Sequence, residues 1–227
     1  MNAPLSFLLP LLAVVLAYLI GSLSFAVLVS RTLGLDDPRT YGSGNPGATN
    51  VLRSGSKAAA VATLVLDAAK GWLPVALVRW WGKPYGLEEG TLALVGLAAF
   101  LGHLWPVFFR FQGGKGVATA LGVLLGVSGW LGLAVALTWV LVAFVSRYSS
   151  LAALIAAVCA PAYYLLLDGV LWNADSRIAV AIGAMALLLI WRHQENIERL
   201  LQGTESRLGQ SSKGGSSTPG ADHTHRR

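Results

Sequence analysis

Residues 117–146 read VATALGVLLGVSGWLGLAVALTWVLVAFVS, thirty consecutive residues without a charge. A helix needs about 20 apolar residues to cross about 30 Å of hydrocarbon, so this run is too long for one ordinary crossing and just long enough for two short ones. Gly126, Ser128, Gly129 and Gly132 lie near its middle and mark a bend. Further charge-poor apolar runs stand on either side, near residues 5–30, 58–79, 91–109, 149–167 and 177–191. With 55% hydrophobic and 12% charged residues, the composition is that of a membrane protein. The fold class expected is all-α: a polytopic integral membrane protein.

Charge parity sets the number of crossings. If 117–146 crosses twice, the three polar segments 36–57, 110–116 and 192–209 share one face. That face then carries Arg31, Arg39, Arg53, Lys57, Arg110, Lys115, Arg147, Arg192, Arg199, Arg207, Lys213, Arg226 and Arg227, and only Arg79, Lys83 and Arg177 lie opposite. Basic residues concentrate on the cytoplasmic side, which predicts seven transmembrane helices with the N-terminus outside and the C-terminus inside. No Lys or Arg precedes the first run, which is also too long for a signal-peptide core, so it is expected to stay as the first helix. Residues 1–209 are expected to form one membrane domain and 210–227, which lack apolar content, a disordered cytoplasmic tail.

The net charge of +6 has no dense basic cluster behind it, which argues against nucleic acid as a partner. A lone Cys159 excludes a disulfide framework or a cysteine metal site within one chain. No Asp, Glu or His group has convincing metal-ligand spacing, so neither a metal nor another cofactor is expected.

Each polar segment offers chemistry and also a plainer reading. The first, TYGSGNPGATNVLRSGSK over 40–57, contains Gly42-x-Gly44-x-x-Gly47, but a dinucleotide fingerprint needs a strand before it and here a membrane helix precedes it. Its glycines would let backbone N–H groups approach an anion, with Ser43, Asn45, Thr49, Asn50 and Arg53 adding hydrogen bonds and charge. It reads equally as a capped glycine turn. The second, GHLWPVFFRFQGGKGVATALG over 102–122, puts Gly113, Gly114, Lys115 and Gly116 directly before a helix. Free N–H groups and the positive end of the helix dipole, together with Lys115, suit a phosphate, although an interfacial turn facing lipid headgroups fits the same residues. His103 at a helix end reads as structural. In the third, WRHQENIERLLQGTESRLG over 191–209, His193 and Asn196 share a helical face and could hold a hydroxyl or oxyanion, or the segment is an amphipathic exit helix. Within the bilayer, Asp67 and Lys70 stand three apart and are expected to pair, as a structural element or as a support beneath the site. Ser149 and Ser150, after Arg147 and Tyr148, line the same face or cap a helix.

Taken together, GSGNPGATN, GHLWPVFFRFQGGKGVAT and RHQENIERLLQGTESRLG resemble, in order and spacing, the three signature segments of the bacterial acyl-phosphate:glycerol-3-phosphate acyltransferases, the PlsY family. The resemblance covers residues 5–209. It implies a compact seven-helix enzyme of the bacterial inner membrane with a cytoplasmic active site. Such an enzyme moves an acyl chain from acyl phosphate to the sn-1 hydroxyl of glycerol 3-phosphate, giving lysophosphatidic acid and phosphate. Ser43, Arg53, His193 and Asn196 are the catalytic positions it implies. It also implies the Gly113 to Gly116 loop with Lys115 for substrate and Glu205 as a structural glutamate, and the residue reading adds Gly42, Asn45, Asn50 and Ser150 as candidates for substrate binding. Gln112 stands where the family usually has lysine and Pro46 where it has an aliphatic residue, which shifts weight onto Lys115.

Acyl phosphate is an activated mixed anhydride, so no covalent enzyme nucleophile is required. The protein has to position a hydroxyl beside a carbonyl, compensate phosphate charge and stabilise an oxyanion. Three rival readings use the same residues: an acyl-enzyme on Ser43, a membrane transporter of organic phosphates, and a lipid-binding scaffold. No His–Asp pair can be assigned to activate Ser43, and the polar residues gather on one face where transport needs access from two.

Overall fold

The computed structural model describes residues 3–209, with side chains from residue 8 onward; the proposed tail 210–227 lies outside them. All ten α-helices among these residues follow the apolar runs or the short polar segments between them. They are α1 (Ala3–Gly21), α2 (Phe25–Thr32), α3 (Ala48–Val51), α4 (Lys57–Trp81), α5 (Glu89–Leu104), α6 (Val117–Val127), α7 (Gly129–Ser146), α8 (Ser149–Leu166), α9 (Ser176–Trp191) and α10 (Gln194–Leu201). Four helices are long and apolar enough to cross a membrane, and up to six segments qualify if the bent pairs α1–α2 and α9–α10 each count as one. Their outward surfaces are apolar, as lipid contact requires: on α7, Phe144 and Val145 are 82% and 75% exposed.

The run 117–146 breaks at Ser128, whose hydroxyl caps α7 by accepting from the Leu131 N–H at 3.5 Å. This leaves α6 with 11 residues, a length of about 16 Å at 1.5 Å per residue and about half a hydrocarbon thickness. Seven of the 11 residues of α6 are buried and none is exposed, and the helix packs chiefly against α4. The helices approach so closely that a Cβ on Gly122 would run into the Ala68 carbonyl, and one on Gly71 into that of Thr119. Such contacts between small residues are how helices associate where lipid is as apolar as leucine. Gly122 faces Ala68 and Trp72, and Gly126 faces Trp72 and Val75, so α6 runs alongside α4 in the same direction. Its first turn is level with the middle of α4, near Asp67, about 15 Å along that helix from Lys57. The loop preceding α6 is thereby set deep between the helices rather than at their tips.

The first apolar run differs from the single helix expected for it. It bends by 45° across Ser22–Ser24. A break inside an apolar bundle strands helix-end carbonyls, and here Lys70 of α4 donates to the Leu23 carbonyl at 2.6 Å. The core between α1, α4, α5, α6, α7, α8 and α9 is filled by Val75, Val95, Phe100, Leu104, Leu131, Tyr164 and Ile182, among others.

Candidate active site

The three polar segments meet at one end of the bundle, and each is folded by its own internal hydrogen bonds first. In the segment before α3, Asn50 is buried and its amide braces the backbone. Its Nδ2 donates to the Pro38 carbonyl at 2.6 Å and to that of Tyr41 at 3.2 Å, and its Oδ1 accepts from the Ser43 N–H at 3.0 Å. The tight turn this creates needs φ +60 at Gly42, where a Cβ would collide with the Asn50 amide and press on Arg53. Ser43 is exposed at its tip. Arg53 reaches out of the segment and donates from Nη2 to the Ser206 hydroxyl at 2.7 Å, tying the first segment to the third. Asn45 folds back over Gly47, and the Pro46 carbonyl stands against Gly114, where the first segment touches the second.

The loop of the second segment is held from two sides. Gly114 donates its N–H to the His103 carbonyl at 3.2 Å, while Arg192 donates from Nη2 to the Gly113 carbonyl at 2.9 Å and from Nε to that of Gly114 at 3.3 Å. Gly116 adopts φ +85 and starts α6 without any side-chain cap, so the first N–H groups of that helix are left for a ligand.

Lys115 turns from this loop into a network on the third segment. Its ammonium contacts the Asn196 Oδ1, and the Asn196 Nδ2 donates to Glu205 Oε1 at 2.7 Å. The same Oε1 accepts from the Ser150 hydroxyl at 2.7 Å, and Oε2 accepts from Arg199 Nε at 2.7 Å. Burial would raise the Glu205 carboxyl, but hydrogen bonds from Ser150, Arg199 and Asn196 outweigh it and hold the group below the usual carboxylate range. Burial pushes the Lys115 ammonium down to about 8, with the Arg199 charge adding to the effect. His193 sits between α9 and α10, where burial lowers its imidazole to about 4. It is therefore neutral at physiological pH. Its Nδ1 lies 2.7 Å from the Leu189 carbonyl, which can only accept, so Nδ1 carries the proton and Nε2 presents a lone pair.

Asp67 and Lys70 pair at 2.8 Å deep between the helices. The structure thus joins Gly42, Ser43, Asn50, Arg53, Lys115, Ser150, Asn196 and Glu205 through successive contacts, with His193 beside Lys115 and Glu205. Sequence reasoning missed Arg192 and Arg199. Both lie in the quoted third segment, but a basic residue at a membrane face reads as an orientation signal. Their actual acceptors are glycine carbonyls 78 and 79 residues away for Arg192, and a carboxylate beyond a turn for Arg199. The Arg207 guanidinium, 5.5 Å over the Tyr148 ring, closes the same end of the bundle. An open groove of about 1020 Å³ runs between α4, the end of α6 and the α8–α9 connection; none of the three polar segments lines it.

A multi-pass helical membrane protein that gathers guanidinium, ammonium and uncapped helix N–H groups at one end is built to handle phosphorylated molecules beside a lipid phase. The profile of the glycerol-3-phosphate acyltransferase family matches residues 11–203. A glycerol-3-phosphate acyltransferase of Albidiferax ferrireducens is 68% identical over 90% of this chain and 91% of its own, and one of Burkholderia pseudomallei is 64% identical over 90% and 98%. Crystal structures of PlsY, an integral membrane glycerol 3-phosphate acyltransferase, superpose on the same fold. Its glycerol 3-phosphate form gives a TM-score of 0.81 at 40% identity, covering 88% of this chain and 96% of that one. Its lysophosphatidic acid form gives 0.79 at 39%, covering 88% and 95%. The chain belongs to the glycerol-3-phosphate acyltransferase family.

Proposed function

We propose that this chain transfers a fatty acyl group from acyl phosphate to the sn-1 hydroxyl of glycerol 3-phosphate, forming lysophosphatidic acid and inorganic phosphate. The observation that carries this reading is the gathering of Lys115, Arg53, Arg192 and the uncapped start of α6 at one end of the bundle, with the neutral His193 beside Lys115 and Arg192. The reaction involves two phosphates, one entering on each substrate, and an inventory rich in cations, in which no described histidine is hydrogen-bonded to the Ser43 hydroxyl, suits an acceptor that attacks directly. The glycerol oxygen forms a bond to the acyl carbonyl carbon, the carbonyl oxygen becomes an oxyanion, and the carbon–oxygen bond to phosphate breaks. The hydroxyl proton leaves with the departing phosphate. His193 Nε2, as a lone-pair acceptor, orients that hydroxyl, and Asn196 holds Lys115 toward the phosphate. Ser43, Gly42, Asn45 and Arg53 form one wall for substrate, and Gly113, Gly114, Lys115 and Gly116 the other. Asn50 and Glu205 hold those walls in shape, and Ser150 serves by bonding Glu205.

The same reading places the active site on the cytoplasmic face of the bacterial inner membrane, in one domain over 1–209 with seven crossings, the N-terminus out and the C-terminus in. Support comes from the distribution of basic residues; up to six segments qualify as spans by length and composition, and the reading counts the shorter apolar α6 as the seventh. Family membership favours the enzyme over the transporter of organic phosphates. The donor is tested by giving the purified protein glycerol 3-phosphate with palmitoyl phosphate or with palmitoyl coenzyme A. Lysophosphatidic acid is expected from the phosphate alone; equal or better turnover with the thioester would replace this reading.

A further inference from the structure

Asp67 and Lys70 are 2% and 3% exposed and sit in the middle of α4. A buried ion pair contributes little net stability, because removing two charges from water costs about as much as their attraction returns. Its use lies in what it fixes in place. Lys70 holds the Leu23 carbonyl at the α1–α2 break at 2.6 Å, and the Asp67 carboxylate stands 3.7 Å from His103 Nδ1. The hydroxyl of Thr119, in the first turn of α6, lies 3.1 Å from the same nitrogen. The other edge of the imidazole bears on the glycine loop: Nε2 occupies the place a Cβ of Gly114 would need, and Gly113 rests on the carbonyls of His103 and Leu104. The loop is therefore clamped between the His103 ring on one side and the Arg192 guanidinium on the other, with Lys115 as the next residue.

We propose that His103, oriented by Thr119 and the buried Asp67–Lys70 pair, is a positioning residue that sets the height of the Gly113–Lys115 loop and so the grip of Lys115 and the α6 N-terminus on the phosphate of glycerol 3-phosphate. This rests on the reading of that loop as the glycerol 3-phosphate site. His103 touches no substrate; it acts through Gly114. The ring explains the glycine at position 114 sterically, and the ion pair explains why the ring cannot retreat when the loop is loaded.

The test is a double-mutant cycle on purified, monodisperse protein, read by glycerol 3-phosphate affinity in a direct binding assay and by steady-state kinetics. His103→Ala and Gly114→Ala should each weaken glycerol 3-phosphate binding and raise its KM about tenfold, the effect of one displaced charge-assisted hydrogen bond. In His103→Ala the acyl phosphate KM and kcat should stay within about twofold, the scatter of independent sites. The double variant should bind better than the product of the two singles, because the alanine methyl then has room. His103→Gln, which keeps an amide nitrogen near the Nε2 position, should recover part of the loss, and Asp67→Asn should share the glycerol 3-phosphate signature. Additive singles, or variants that fold less stably but bind glycerol 3-phosphate as tightly as the parent, would overturn the proposal. So would equal losses toward both substrates. A parent chain that binds glycerol 3-phosphate but fails to turn over acyl phosphate would sink the functional reading alone, and the binding cycle would still decide this one.

Discussion

Lys115 and His193 lie within one another's electrostatic reach, and burial moves both downward into different working states. At about 8, the ammonium of Lys115 is still charged at neutral pH, while at about 4 the imidazole of His193 is neutral. In the proposed mechanism the pair divides the labour between charge compensation by Lys115 and lone-pair acceptance by His193. If Lys115 holds phosphate equally in ground and transition states, Lys115→Ala should raise the glycerol 3-phosphate KM and largely spare kcat. Loss of one charge-assisted hydrogen bond corresponds to about 1.5–3 kcal/mol, or roughly 10- to 150-fold. Lys115→Arg restores charge but not the shape of the contact with Asn196, so it should recover only part. The pH dependence has a definite sign: above about 8 the free enzyme loses the Lys115 charge, and KM should climb by up to about tenfold per pH unit. In Lys115→Arg the climb should vanish. A parent KM that stays flat through that range, or an unchanged KM in a correctly inserted Lys115→Ala protein, removes Lys115 from the phosphate site.

At the scale of elements, Glu205 is the pin that fastens the end of the third segment to α8 and α10. Its side chain is 7% exposed and takes donors from Ser150, Asn196 and Arg199. Glu205→Ala would leave those donors without an acceptor, and since Arg199 stays partly in water the cost should be about 3 kcal/mol, below that of a fully buried pair. Hydrogen exchange should show the protection of α10 falling far more than that of α4; equal loss across both helices, or none, contradicts the assignment. Because the folded carboxyl lies below its ordinary value, this stabilisation is present above the usual glutamate range and fades as pH drops through the folded value. Legibility divides along the same elements. The α6–α7 break is written locally in Gly126, Ser128 and Gly129, and glycine signals of that kind survive translation into structure. The α1–α2 break is not, because what satisfies its stranded carbonyl is Lys70, 47 residues away. His103 was readable only as a lone histidine at a helix end, since its meaning comes from Asp67, Thr119 and Gly114 on other elements. Asn50 was readable as polar and near an anion loop, yet its whole amide is engaged in folding that loop.

For the whole molecule, the apolar runs mark where the long helices lie, but the helix lengths are unequal in a way that composition hides. The 11-residue α6 carries the glycine loop at its start, and its half length lets that loop lie deep between the longer helices. The proposed seven-crossing arrangement makes a direct prediction about sidedness. After Cys159→Ser, single cysteines at Gly34, Gln112 and Gly209 should react with an impermeant thiol reagent only in inverted vesicles, and those at Lys83 and Asn173 only in intact cells. Labelling of positions 83 and 112 from one face would break that topology. The central claim, direct acyl transfer between two phosphorylated molecules, is tested most directly by following acyl phosphate whose bridging oxygen is isotopically labelled, in a purified reaction with glycerol 3-phosphate and a metal chelator. Attack at the carbonyl predicts one phosphate released per lysophosphatidic acid formed, with the label in the phosphate and full activity despite the chelator. Label retained in an acyl product, phosphate released without glycerol 3-phosphate, or activity that returns only when a divalent ion is added would contradict it.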